Sequence, residues 1–101
     1  MKLKVGARLR SAVCATEVMV VAAPEADVAL SCGGAPLVDI AAEPPGGSIS
    51  PEFADGTQIG KRYVNEAGDL ELLCTKAGDG SLALEGKRLT LKGAKPLPSS
   101  D

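Results

Sequence analysis

The sequence predicts an all-β protein, a small single domain spanning residues 1–101 and built of short antiparallel strands, barrel-like or sandwich in form. Short runs of aliphatic and β-branched residues are bounded by Gly, Pro, Asn and Asp clusters, the punctuation of strands and turns. The second half carries turn signals in close succession, as consecutive hairpins require. The one run with helical potential, residues 16–23, is rich in Val and stopped by Pro24 after two turns, which favours a strand.

The elements follow in order. Leu3 and Val5 alternate with lysines before Gly6 interrupts. Val18 to Val21 forms a strand that ends at Pro24-Glu25-Ala26-Asp27, and Val28 to Cys32 runs back to Gly33-Gly34. If these two strands pair, they make an N-terminal knuckle-like hairpin. Pro36 to Ile40 comes next. Residues 41–56, with Pro44-Pro45-Gly46-Gly47-Ser48, Pro51 and Gly56, read as a Pro/Gly-rich loop. It is a connector or, given its length, a binding loop or an oligomer arm. Thr57 to Val64, Leu70 to Thr75, Leu82 to Leu84 and Arg88 to Leu91 then form a β-meander, with Glu85-Gly86 as a two-residue hairpin turn. Residues 93–101 are expected to be an extended or flexible tail. No internal repeat stands out.

Composition narrows the function classes. Hydrophobic residues make up 45% of the chain, yet there is one Phe, one Tyr and no Trp, so the core must be aliphatic. A domain this short without aromatic area gains from a second source of stability, such as a bound metal or a partner subunit, and a homo-oligomer is expected. The net charge of −2 argues against nucleic-acid binding. The pairs Lys61-Arg62 and Lys87-Arg88 read as solvated charges. The apolar run from Val18 to Ala23 is far too short to cross a membrane, and no apolar stretch follows the basic N-terminus as a signal peptide requires. The expectation is a cytoplasmic protein with reduced thiols.

The chain has no histidine, which excludes Ser-His-Asp and Cys-His catalytic arrangements, and it has no phosphate-binding glycine loop. An independent enzyme active site is therefore not expected. The chemistry left is that of three thiols. Thiolates bind zinc, iron or copper(I), and a carboxylate can complete such a site. Cys14 precedes one strand and Cys32 ends the next, so a hairpin would put both sulfurs at one end. Glu17 is close enough in sequence to add oxygen. Cys74 reaches them only through tertiary folding or across a subunit boundary. The competing reading is that the cysteines are small core hydrophobes, and Cys74, after Leu72-Leu73, fits it well.

Residues 8–38 resemble the metal knuckle of desulforedoxin, also found at the N-terminus of desulfoferrodoxins. That family has a Cys-x-x-Cys, an apolar strand, a turn, and a second strand ending in Cys-Cys-Gly-x-Pro or a close variant. Here Cys14-Ala15-Thr16-Glu17 precedes Val18-Met19-Val20-Val21, and Cys32-Gly33-Gly34-Ala35-Pro36 closes the second strand. Cys14 and Cys32 match the first cysteine of each pair, and Glu17 and Gly33 stand where the second ones would be. The resemblance implies either the β framework alone or a thiolate metal site altered from four sulfurs. The ligands of such a site would be Cys14, Cys32 and Glu17, completed by Cys74 or by another subunit, and zinc or iron the metal.

The sequence thus points to a small metal-binding accessory, carrier or electron-transfer protein serving a larger enzyme. The alternative is a non-catalytic oligomeric assembly module whose cysteines are packing. A ligand-binding β-barrel has only the fold class behind it.

Overall fold

In a computed structural model the described residues, 2–44 and 46–92, form ten short strands and no α-helix. The strands are β1 (Arg8–Arg10), β2 (Glu17–Ala22), β3 (Leu30–Cys32), β4 (Ala35–Pro36), β5 (Val38–Asp39), β6 (Arg62–Val64), β7 (Glu71–Lys76), β8 (Leu82–Leu84), β9 (Lys87–Arg88) and β10 (Thr90–Leu91). They make two antiparallel sheets, one in the order β10-β6-β7-β2-β1-β5 and the other β4-β3-β8-β9. The expected tail over 93–101 lies outside the described residues. No helix among the described residues is long and apolar enough to cross a membrane.

The core lies where the sheets face each other. Alternation along β2 buries Val18 and Val20, and β7 adds Leu72 and Cys74. The smaller sheet supplies Leu30, Cys32 and Leu82. Each fully buried leucine contributes on the order of 1.5–3 kcal/mol, so a dozen aliphatic groups replace the missing aromatics. Two stretches pass from one sheet to the other, β4 into β5 through Leu37 and β9 into β10 through Leu89. Both leucines are buried, so each change of sheet is pinned in the core.

Both crossing strands begin at the same kind of turn. Gly33-Gly34 has φ of 67° and 88°, and Glu85-Gly86 has 52° and 81°, the left-handed pair that two-residue hairpins need. The two turns belong to a larger repetition. The larger sheet order reads the same backwards when β1–β5 exchange with β6–β10, and so does the smaller. Backbone bonds repeat at an offset of 54 residues. Gly6 N–H donates to Val20 O and Gly60 N–H to Cys74 O, both at 2.8 Å. Val20 N–H donates to Ala7 O, and Cys74 N–H to Lys61 O. Beyond the β2–β3 connection, two residues longer than its twin, the offset becomes 52: Leu37 N–H bonds Leu30 O as Leu89 N–H bonds Leu82 O. Gly33 N–H to Ser81 O and Glu85 N–H to Ala29 O are reciprocal across the pseudo-axis. The chain is an internal repeat related by a pseudo-two-fold, contrary to the sequence reading.

Three further expectations change. The strand beginning at Leu3 reduces to a bridge between Lys2 and Asp27, and the first strand is Arg8–Arg10. The hairpin of 18–21 with 28–32 does not form: β2 pairs with β1 and β7, and β3 with β4 and β8, in the other sheet. The meander is interrupted, because the chain changes sheets between β7 and β8, while the β6–β7 and β8–β9 hairpins form. Residues 41–56 hold no strand among those described, only a 3-10 turn at Pro51–Phe53.

Candidate thiol site

Ser11 begins the site. The loop from Ser11 to Thr16 joins β1 to β2, and its first residue closes it: Ser11 Oγ accepts the N–H groups of Val13 (3.1 Å) and Cys14 (3.0 Å). The protonated Cys14 thiol donates to the same oxygen, with its Sγ 3.2 Å from Ser11 Oγ. Thr16 Oγ1 lies 3.3 Å from the same sulfur and 2.7 Å from Thr57 Oγ1. Thr57 Oγ1 in turn accepts the Gly78 N–H at 3.2 Å. Hydrogen bonds therefore link Cys14 through Thr16 and Thr57 to Gly78.

The second sulfur arrives from the facing sheet. Cys32, at the end of β3, is fully buried, and its Sγ is 3.8 Å from Cys14 Sγ. The two sulfurs meet as the sequence reading expected, but across the interior between the sheets rather than at the end of one hairpin. The segment 77–81 lies over both. A Cβ on Gly78 would stand 2.3 Å from Thr16 Oγ1, 2.4 Å from Thr16 N and 3.1 Å from Cys14 Sγ. One on Gly80 would stand 2.9 Å from the Gly33 backbone and 3.1 Å from Cys32 Sγ. Only glycine lets this backbone come so near.

The two thiols differ in acidity. Burial pushes the Cys14 thiol up, but hydrogen bonds from the Ser11 and Thr16 hydroxyls and from the backbone at Thr16 and Gly80 outweigh it and bring it down to about 7. Cys32 is pushed up to about 12, first by burial and then by the charge of Cys14 beside it. Cys14 is half-buried and Cys32 fully buried, so the acidic thiol belongs to the more exposed residue of the pair.

Of the four sequence candidates, the structure brings two together. Cys74 is buried opposite Val18, its thiol donates to the Lys76 carbonyl at 3.2 Å, and burial raises it. It is linked to the pair only through Thr57, which also bonds its sulfur. Glu17 stands between buried Thr16 and Val18, opposite Arg10 in register, on the outward side of its strand. Among the described residues no group of three or more Cys, Asp or Glu side chains is placed to hold a metal, so neither Glu17 nor Cys74 completes one with the pair. Glu17 is the repeat partner of Glu71, which is held between Arg62 (3.3 Å) and Lys92 (2.7 Å). These cations hold the Glu71 carboxyl below its ordinary range, Lys92 first. A glutamate at this place in both halves belongs to the scaffold.

Ser11, Thr16, Thr57, Gly78 and Gly80 escaped the sequence reading. Hydroxyls and glycines have no characteristic spacing, and these come from three separate segments. The repeat supplies the missing signal. Cys14, Thr16, Cys32, Thr57 and Cys74 correspond to Gly68, Leu70, Leu84, Leu3 and Val20 in the other half. Where one position of a repeat pair is thiol or hydroxyl, its twin is mostly aliphatic core. Comparison of the chain with models of protein families, with curated proteins and with solved structures finds no match.

Proposed function

We propose that Cys14 and Cys32 hold a thiophilic metal ion and that the chain is a small carrier or accessory protein which passes that ion to a larger acceptor. The observation behind this is the 3.8 Å between the two sulfurs. Zinc–sulfur bonds of about 2.3 Å at the tetrahedral angle put two sulfurs about 3.8 Å apart. Two thiolates leave coordination positions for water, for the nearby hydroxyls or for an acceptor's ligand, which suits transfer better than permanent storage. Copper(I) and iron(II) compete for the same thiolates. A reducing compartment such as the cytoplasm would keep the pair available.

The test is a titration of the reduced, metal-free chain with Zn²⁺ against a chromophoric chelator, with Cu⁺ and Fe²⁺ in parallel under anaerobic conditions. The expected result is one equivalent bound, lost in Cys14→Ser/Cys32→Ser and retained in Glu17→Gln. No binding, or undiminished binding by a folded double variant, overturns the reading. Binding must displace the Cys32 proton throughout and the Cys14 proton below pH 7. Apparent affinity should fall about tenfold per unit as pH drops from 8.5 to 7, then steepen towards about a hundredfold per unit.

The second reading, a homo-oligomeric assembly module, rests on a different observation. Val5 and Ile59 are exposed, 69% and 65%, at corresponding positions of the repeat. Sedimentation at micromolar concentration decides it: Val5→Ser/Ile59→Ser should dissociate an oligomer, and a strictly monomeric parent excludes one.

A further inference from the structure

We infer that Cys14 and Cys32 are also a thiol–disulfide exchange couple, in which Cys14 attacks an external disulfide and Cys32 resolves the mixed disulfide. The inference rests on the same sulfur pair as the metal reading but needs no metal.

Three observations carry it. The sulfurs are 3.8 Å apart and unbonded, so closing to the roughly 2.05 Å of a disulfide takes less than about 2 Å of approach. Their exposure is divided as the two roles demand: Cys14 is half-buried and the more exposed of the two, whereas Cys32 is fully buried with the Cys14 sulfur 3.8 Å away. The Ser11 and Thr16 hydroxyls, 3.2 and 3.3 Å from Cys14 Sγ, stabilise the attacking thiolate and any negative charge returning to that sulfur. Packing alone does not require this arrangement, because the twin half fills the corresponding places of the two sulfurs with Gly68 and Leu84.

The chemistry balances with an external disulfide as oxidant. The Cys14 thiolate attacks one sulfur of the substrate; a Cys14–substrate S–S bond forms, the substrate S–S bond breaks, and the departing thiolate takes a proton from solvent. Cys32 then loses its proton and attacks Cys14 Sγ. The protein disulfide forms, and the second substrate sulfur leaves as a thiolate and takes up that proton. Two electrons pass from the cysteine pair to the substrate, which is released as two thiols.

The experiment treats the reduced full chain with oxidised glutathione in the presence of a metal chelator, quenches with acid and analyses the products by mass spectrometry. The parent should lose two mass units, with peptide mapping placing the bond between Cys14 and Cys32. Cys32→Ser should stop at one glutathione on Cys14, Cys14→Ser should be at least tenfold slower to react, and Cys74→Ser should behave as the parent. A parent that stops at the mixed disulfide, or a Cys14→Ser variant that reacts as fast as the parent, overturns the inference. Because chelator is present throughout, this outcome is independent of the metal titration, and either proposal can fail while the other stands.

Discussion

Residues 7–40 and 61–92 follow one backbone plan, and the places where they part company are concentrated around a single loop. In the second half, Asn65 closes the β6–β7 loop by accepting the Leu70 N–H at 3.0 Å and donating to Asp69 at 2.6 Å, and Leu70 fills the core beneath. In the first half the corresponding loop is closed by Ser11, and beneath it lie the Thr16–Thr57 hydroxyl pair and two sulfurs. The surroundings differ as well. Gly46 and Ser50 bond the carbonyls of Ala12 and Gly33, so the connection between the halves covers the thiol loop. At the corresponding position of the second half, Asn65, Glu66, Ala67 and Glu85 line a groove of about 590 Å³ among the described residues. The Asn65 loop shows what this fold needs in order to stand, and the Ser11 loop, with Thr57 and Gly78 set against it, shows what has been added.

The comparison can be broken at its structural end first. Leu70→Ala removes a fully buried side chain from the side of the pseudo-axis that only packs, and urea unfolding should record a loss of about 2–5 kcal/mol with the thiol chemistry unchanged. A loss below 1 kcal/mol would mean that the two sides do not divide the labour in this way. Gly78→Ala comes next. Its Cβ would meet the Thr16 backbone, and overpacking of this kind costs about 1–3 kcal/mol. Unlike Leu70→Ala, it should also change the reactivity of Cys14 towards iodoacetamide, because the segment over the sulfurs must shift.

Thr16→Val should move stability least, by about 1 kcal/mol, while raising the Cys14 thiol from its value of about 7. The sign for stability follows from the parent. Cys14 is more acidic folded than unfolded, so between pH 7 and pH 9 the unfolded chain holds the proton that the native chain has lost, and stability rises with pH. That contribution is complete above pH 9 and is lost as pH falls through 7. Thr16→Val should flatten the rise, and denaturant midpoints measured across this window would show it. An unchanged slope would remove the hydroxyl from the account of the acidity.

How much of this was legible in the sequence depended on how local each cause is. The turn at Glu85-Gly86 was readable because two adjacent residues determine it. The strand at Glu71–Lys76 was readable from its own aliphatic run, within a residue at each end. The strand at Arg8–Arg10 was not, because Leu9 is flanked by two arginines and its pairing with β2 and β5 is what makes it a strand. The repeat was hidden because it rests on a few separated identities, among them Gly6 and Gly60, Arg8 and Arg62, Leu30 and Leu82, Leu37 and Leu89, with the offset changing midway. Cys14 and Cys32 were picked out as a pair through a hairpin that does not form. They meet because the sheet-to-sheet packing of the whole domain brings them together, which no spacing of 18 residues encodes.

The pseudo-two-fold has one consequence for how such a site can arise. In a symmetric pair of separate chains every substitution is made twice, so exchanging a core leucine for a threonine would remove apolar packing on both sides of the axis at once. Here a single chain carries both copies, joined through the segment between Ile40 and Thr57. Leu3, Leu70 and Leu84 can keep one side of the axis aliphatic while Thr57, Thr16 and Cys32, drawn from both copies, depart from that pattern on the other. Covalent fusion makes the two sides of the axis independent characters, so the cost of a polar interior is incurred once and the leucine-filled twin remains as ballast.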